Sequence, residues 1–345
     1  MSEPGSIHSA AARIGVLRAA RNWLERDGRV ALATVVDTWG SAPVPVGGQL
    51  AIAADGSFEG SVSGGCIEGE VITAAEEVLA DGRPRVLEFG VADETAWRVG
   101  LPCGGQVRVY LERLTKEDGL SLLNRALQAD ERREALLIRT RLSDGHRELF
   151  DKKMADLPVE VATRLRSGES KLLKTPEGEV FLHAILPPAR IIVIGATHIG
   201  QVLCELARMT GYEVTVIDPR TAFASEARFP GVKLLTEWPQ DALPRIGLDP
   251  YTAVVVVAHV SHIDDEALKI ALKSDCLYIG ALGSSRNHAK RRQRLLEAGI
   301  TEAEFARIKN PIGLDIGAQT PAEIAVAIMA EVILAVRGPK AERKG

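Results

Sequence analysis

Ile191-Ile192-Val193-Ile194-Gly195-Ala196-Thr197-His198-Ile199-Gly200 is the passage on which the fold turns. Its four leading residues form an unbroken apolar run, as expected of a strand buried on both faces. A glycine-bearing turn follows, then a helical stripe of Val202, Leu203, Leu206 and Met209. Val214–Ile217 reads as a second strand ending at Asp218, and Ala253–Ala258 and Cys276–Leu282 read as further buried strands. Strands of this kind alternating with helices predict a Rossmann-like, doubly wound parallel sheet. The last helix is marked by Thr320 as N-cap, Pro321 at the first position and Glu323 closing a capping box, with Ile324, Ile328, Val332 and Val336 toward the core.

Gly195 and Gly200 supply the first and third glycines of a dinucleotide fingerprint, and Asp218 follows near the spacing of a ribose-binding carboxylate. The middle glycine, which lets a pyrophosphate approach the backbone, is Thr197. A β-branched residue there obstructs a dinucleotide or replaces a backbone contact with a hydroxyl. Use of NAD(P) as a redox cofactor is therefore disfavoured. Binding of some other anion at the helix N-terminus stays open, as does a scaffold kept for architecture. His198 lies inside this loop, and His259 follows the strongest strand, where such sheets place their ligands. His262 makes a His-x-x-His pair with it, yet no third metal ligand is suitably spaced. Arg291-Arg292-Gln293-Arg294, the densest basic cluster, reads as a solvated helix face.

Upstream of Pro187-Pro188 the pattern changes to α+β. The division expected is 1–186 for an N-terminal α+β domain and 187–345 for the Rossmann-like one. Residues 8–27 read as a helix with a stripe of Ile14, Leu17 and Leu24. Val30–Val36, Gln49–Ala53, Phe58–Val62, Arg85–Val91, Gln106–Glu112 and Ala135–Thr140 read as strands, with a glycine-turn hairpin over Lys171–Leu186. From Cys66 a helical face runs through Ile67, Val71, Ala75, Val78 and Leu79 to Gly82.

Two cysteines in this half stand against paired glycines: Gly64-Gly65-Cys66 and Cys103-Gly104-Gly105. Glycine beside a cysteine removes side-chain cover and permits positive φ, so the thiol and nearby N–H groups can approach a ligand. Cys66, at or next to a helix N-terminus, gains a reason to ionise; Cys103 has only its loop. Four cysteines in 345 residues, with no CxxC, point to free thiols and a reducing cytoplasm. A net charge of −4 gives no reason to expect nucleic acid. No apolar segment approaches the length that spans a membrane, and Arg13, Arg18 and Arg21 interrupt the first apolar stretch, which argues against a signal peptide.

Taken together, Gly40-Ser41-Ala42-Pro43, Gly60 through Glu68, Gly100 through Gly105, Gly195 through Gly200, Tyr278-Ile279-Gly280 with Gly283-Ser284, and Asn310 through Gly317 resemble the XdhC/CoxI family over nearly the whole chain. Val44 departs from the pattern at a position where an arginine is common, and Thr197 where a glycine is. The resemblance implies a chaperone rather than a catalyst. Such a protein binds the molybdenum cofactor (molybdopterin), protects it while a cysteine desulfurase adds the terminal sulfur, and delivers it to an apo molybdenum hydroxylase of the xanthine dehydrogenase type. No catalytic residue is then expected. Cys66 and Cys103 become candidates for molybdenum or sulfur contact, with Gly64, Gly65, Gly104 and Gly105 beside them. Gly195, Thr197, His198, Gly200 and Asp218 would hold the pterin's phosphate end or govern release. The rival reading is an NAD(P)-dependent oxidoreductase with His259 as its acid. Homodimer formation is left open.

Overall fold

The computed structural model describes residues 10–40, 42–90 and 105–338. The chain separates into two compact units, residues 1–187 and 188–345.

The first unit begins with α1 (Ala10–Asp27), β1 (Arg29–Trp39), β2 (Gln49–Ile52), β3 (Phe58–Gly60), α2 (Glu68–Asp81), β4 (Arg85–Phe89) and β5 (Gln106–Thr115). These strands form an antiparallel sheet in the order β3-β2-β1-β5-β4. β1 is central and covered on both faces. Ala31, Ala33 and Val35 cluster with Val71, Ala75 and Val78 of α2, while Val30 and Leu32 cluster with Leu17 and Leu24 of α1. That double burial is why its sequence is apolar without alternation. Gly82 ends α2 in the left-handed region, its N–H donating to Val78 O.

Next come α3 (Lys116–Glu131), β6 (Leu136–Arg141), β7 (Arg147–Asp151), α4 (Val159–Ser167), β8 (Lys171–Thr175) and β9 (Gly178–Ile185). Their strands make a second antiparallel sheet, β7-β6-β9-β8. β7 is not among the strands expected from the sequence. Its Arg-Glu-Leu-Phe-Asp composition looks like a surface loop, and only pairing with β6 across an Asp144-Gly145 turn makes it a strand.

The second unit runs β10 (Arg190–Ile194), α5 (His198–Met209), β11 (Glu213–Ile217), β12 (Lys233–Leu235), α6 (Pro239–Ile246), β13 (Thr252–Val256), α7 (Ser261–Leu272), β14 (Tyr278–Ala281), α8 (Ser285–Glu297), α9 (Glu302–Phe305), β15 (Ile308–Lys309) and α10 (Pro321–Arg337). All six strands are parallel, in the order β12-β11-β10-β13-β14-β15. The expected Rossmann-like doubly wound sheet is therefore present, with its switch point between β10 and β13. Ile191–Ile194 are fully buried, and each such side chain contributes about 1.5–3 kcal/mol. The capping box on α10 forms as read, and Ile328 and Val332 reach the core. β12 and β15 carry no pattern of their own, being only three and two residues long.

Candidate functional site

The Cys66 loop is built around a carboxylate. Glu68, on the first turn of α2, folds back so that Oε1 accepts from Ser61 Oγ (2.6 Å), Val62 N (3.1 Å) and Ser63 N (2.9 Å). Its Oε2 accepts from Ser63 Oγ (2.5 Å) and Gly65 N (2.9 Å). Gly64 N donates to Ser61 Oγ, and the N–H groups of Cys66 and Ile67 both donate to Ser63 Oγ. Every N–H from Val62 to Ile67 is thus satisfied by a side chain of the same loop. Burial opposes ionisation of Glu68, but these donors outweigh it and hold the carboxyl down at about 2.

The outcome differs from the expectation that these amides face a ligand: Glu68 takes the place an anionic ligand would have had. What the loop does present is its thiol. Gly64, Gly65 and Cys66 are exposed. Gly64 and Gly65 sit at φ +82° and +113°, and a Cβ built on Gly65 or Gly69 meets no atom within 4 Å. Cys66 lies one residue ahead of the N-cap, Ile67, rather than inside the helix. Glu68 enters the sequence reading only as part of the motif; its place three residues after Gly65, at a helix start, was the available signal.

The Gly40–Pro43 segment lies beside this loop. A Cβ on Gly64 would lie 3.5 Å from Pro43 Cβ. Trp39, which precedes the Gly40–Pro43 segment, is 71% exposed and pairs with Gln106, the residue after Gly105. Gly105 is buried. Cys103 and Gly104 lie outside the described residues, as does Ser41. Val44 packs into the core between sheet and α2.

In the second unit, Thr197 is the N-cap of α5, its hydroxyl accepting from Gly200 N at 3.3 Å. The residue that spoils the fingerprint is therefore put to use as a cap. Thr197→Ala should destabilise the unit by about 1 kcal/mol in urea unfolding. Gly195 adopts φ +110° with its Cα against the backbone of Ala258. His198 is exposed and paired with Gln201 Oε1. Asp218 is fully buried and engaged by Ala196 N (2.7 Å), Arg220 N (3.0 Å) and the Arg220 guanidinium (2.7 and 2.9 Å). Burial resists its ionisation, yet the Arg220 and backbone donors win and lower its pKa. It ties the glycine turn to the next loop instead of facing outward.

His259 is exposed, in the left-handed region at φ +57°, and the His262 ring packs at a tilt against Trp238, 5.8 Å between centroids. No grouping of three metal-ligating side chains occurs among the described residues. The reading of residues 291–294 as a solvated face needs correction: Arg292 pairs with Glu302 at the surface, but Arg291 is buried. Cavities of about 310 and 220 Å³ flank the Arg147–Glu112 ion pair of the first unit, lined by residues outside the glycine–cysteine motifs.

Two family models match the chain, one described as the XdhC Rossmann domain over residues 191–332 and one as the XdhC and CoxI family over residues 23–90. A Bacillus subtilis protein described as a probable xanthine dehydrogenase subunit is 29% identical over 319 residues, covering 90% of this chain and 94% of that protein. The molybdenum cofactor insertion chaperone PaoD of Escherichia coli is 28% identical over 319 residues, covering 92% and 86%. A crystal structure from Bacillus halodurans, described as a xanthine dehydrogenase, superposes with a TM-score of 0.67 at 25% identity, covering 96% and 98%.

Proposed function

The chain belongs to the XdhC and CoxI family, and from that premise we propose that it carries the molybdenum cofactor to a molybdenum hydroxylase of the xanthine dehydrogenase type. Its role is maturation rather than turnover. It holds the cofactor in the cytoplasm while a cysteine desulfurase supplies the terminal sulfur, then hands it to the apo-hydroxylase. The naming of one relative as a molybdenum cofactor insertion chaperone supports this reading.

The observation that carries it is the bare Cys66 thiol, exposed after Gly64 and Gly65 on a loop whose amides are otherwise engaged. A soft sulfur ligand suits a molybdenum–sulfur centre, and open space around Gly65 and Gly69 leaves room for a bulky cargo. Cys103, Gly104 and Gly105 form the second contact in this proposal. The glycine loop of the second unit, with Thr197 and His198, takes the phosphate end through the α5 N-terminus. Engagement of Asp218 by Arg220 weighs against a nicotinamide dinucleotide, whose ribose needs that carboxylate.

Protein purified anaerobically from a cofactor-producing strain should contain pterin and molybdenum. Cys66→Ser should lower both at least tenfold and abolish hydroxylase activation in vivo, with Cys103→Ser assayed alongside. Wild-type protein free of cofactor, together with unimpaired activation by both variants, would sink the proposal. Quenching of NADH fluorescence at micromolar concentration would instead favour the oxidoreductase.

A further inference from the structure

Helix α10 is apolar on the face it turns to solvent as well as on the face it buries. Ala325, Ile328, Met329 and Val332 are in the core. Glu331 also faces inward, accepting from Tyr278 Oη at 2.6 Å and Gly313 N at 2.8 Å. On the opposite side Val326, Ala330, Ile333 and Leu334 recur at i, i+4, i+7 and i+8, the spacing of one stripe. Val326, Ile333 and Leu334 are 47%, 36% and 53% exposed. The charged residues of that side are Glu323 at one end and Arg337 at the other. Met209, on the last turn of α5, is 84% exposed and widens the patch. Its helix packs beside α10, where Thr210 Oγ1 lies 4.0 Å from Met329 Sδ.

A helix apolar all round belongs in an interior, and a cluster of exposed apolar side chains marks an interaction surface. Lipid is a poor cover for it. No described helix is long and apolar enough to cross a membrane. A helix lying on a membrane surface carries a basic face, whereas α10 has one arginine and two glutamates.

The order of residues along the stripe fits a second copy of the chain. Glu323 and Arg337 are equidistant from Ala330, and so are Val326 and Leu334. In an antiparallel pair of α10 helices centred on Ala330, each Glu323 faces the other copy's Arg337 and each Val326 its Leu334. The small Ala330 meets itself where the axes come closest. An isologous contact demands this property, residue i meeting j while j meets i. A parallel pair would instead set glutamate on glutamate and arginine on arginine. Glu323 caps α10 through Oε2, which accepts from Gln319 N and Thr320 N and leaves Oε1 to take the arginine. We propose that the chain forms a homodimer through a two-fold antiparallel pair of α10 helices centred on Ala330. This stands independently of the carrier reading.

Sedimentation velocity of the full chain at about 10 μM should give about twice the 37.1 kDa of one copy. Leu334→Glu sets a carboxylate against Val326 at both ends of the pair and should weaken association at least about tenfold. Its urea midpoint, read at a dilution where wild type is monomeric, should match wild type, because the position faces solvent in a single copy. Crosslinking reads the register. In a background lacking Cys66 and Cys103, Ala330→Cys should be trapped by mild oxidation as a disulfide-linked dimer, since only a residue on the axis meets its own copy. Val326→Cys, about 12 Å from its equivalent along the helix, should not crosslink. A wild-type monomer at every concentration overturns the inference and assigns the face to an unlike protein. A dimer indifferent to Leu334→Glu, or one crosslinked equally at 326 and 330, overturns it by placing the contact elsewhere.

Discussion

Gly195→Ala should be the most damaging single substitution in the second unit, lowering its stability by about 3–5 kcal/mol. The residue sits at φ +110°, where an L side chain is strained. A Cβ would lie 2.4 Å from Ala258 N and 2.5 Å from its Cα, both backbone atoms of the segment after β13. Neither can yield without shifting β10 against β13 at the switch point. Hydrogen exchange resolved by peptide should show faster opening of β10, β13 and α5 and unchanged protection in β1 and β5. Protection equal to wild type across β10 and α5 would refute the packing argument. Gly65→Ala is the control, since that position is also at positive φ but has open space around it.

Glu68→Ala should cost about 3 kcal/mol and loosen the Cys66 loop, because it orphans donors from Ser61, Val62, Ser63 and Gly65 together. The same carboxylate sets an acid limb. Its folded value near 2 lies below the 4.5 of an unhindered glutamate. The stabilisation is therefore complete above about 4.5 and is lost as pH falls through about 2. Urea unfolding between pH 5 and 2 (a range on the order of that window) should show this loss in wild type and a flatter profile in Glu68→Gln. Parallel profiles for the two proteins would remove Glu68 as the cause.

The fold is legible in the sequence where burial is two-sided or where a cap is explicit. Ile191–Ile194 and Ala253–Val256 announce a parallel sheet because nothing polar interrupts them, and Thr320, Pro321 and Glu323 mark the start of α10. β7, β12 and β15 stay hidden because short, charged or edge strands take their identity from a partner strand rather than from their own pattern. At the site, the glycine–cysteine motif is visible but the destination of its amides is not. A glutamate at a helix start announces only a favourable charge. That Glu68 turns back to collect two hydroxyls and three amides depends on the path of Ser61–Gly65, fixed by positive φ at Gly64 and Gly65. Arg291 escapes the sequence for a related reason. In a run of basic residues the one facing inward is set by helix phase, and Asp264, its partner, lies 27 residues away.

The self-satisfied loop beneath Cys66 also bears on exchange kinetics. Six consecutive amides are already engaged by the chain itself, so an arriving ligand orders nothing there and meets no conformational delay. For the same reason none of those amides can clasp the ligand once it has arrived. In the carrier proposed above, residence at this loop would rest on the contact of one sulfur atom, which would make loading and handover comparably easy and leave the direction of transfer to the receiving protein.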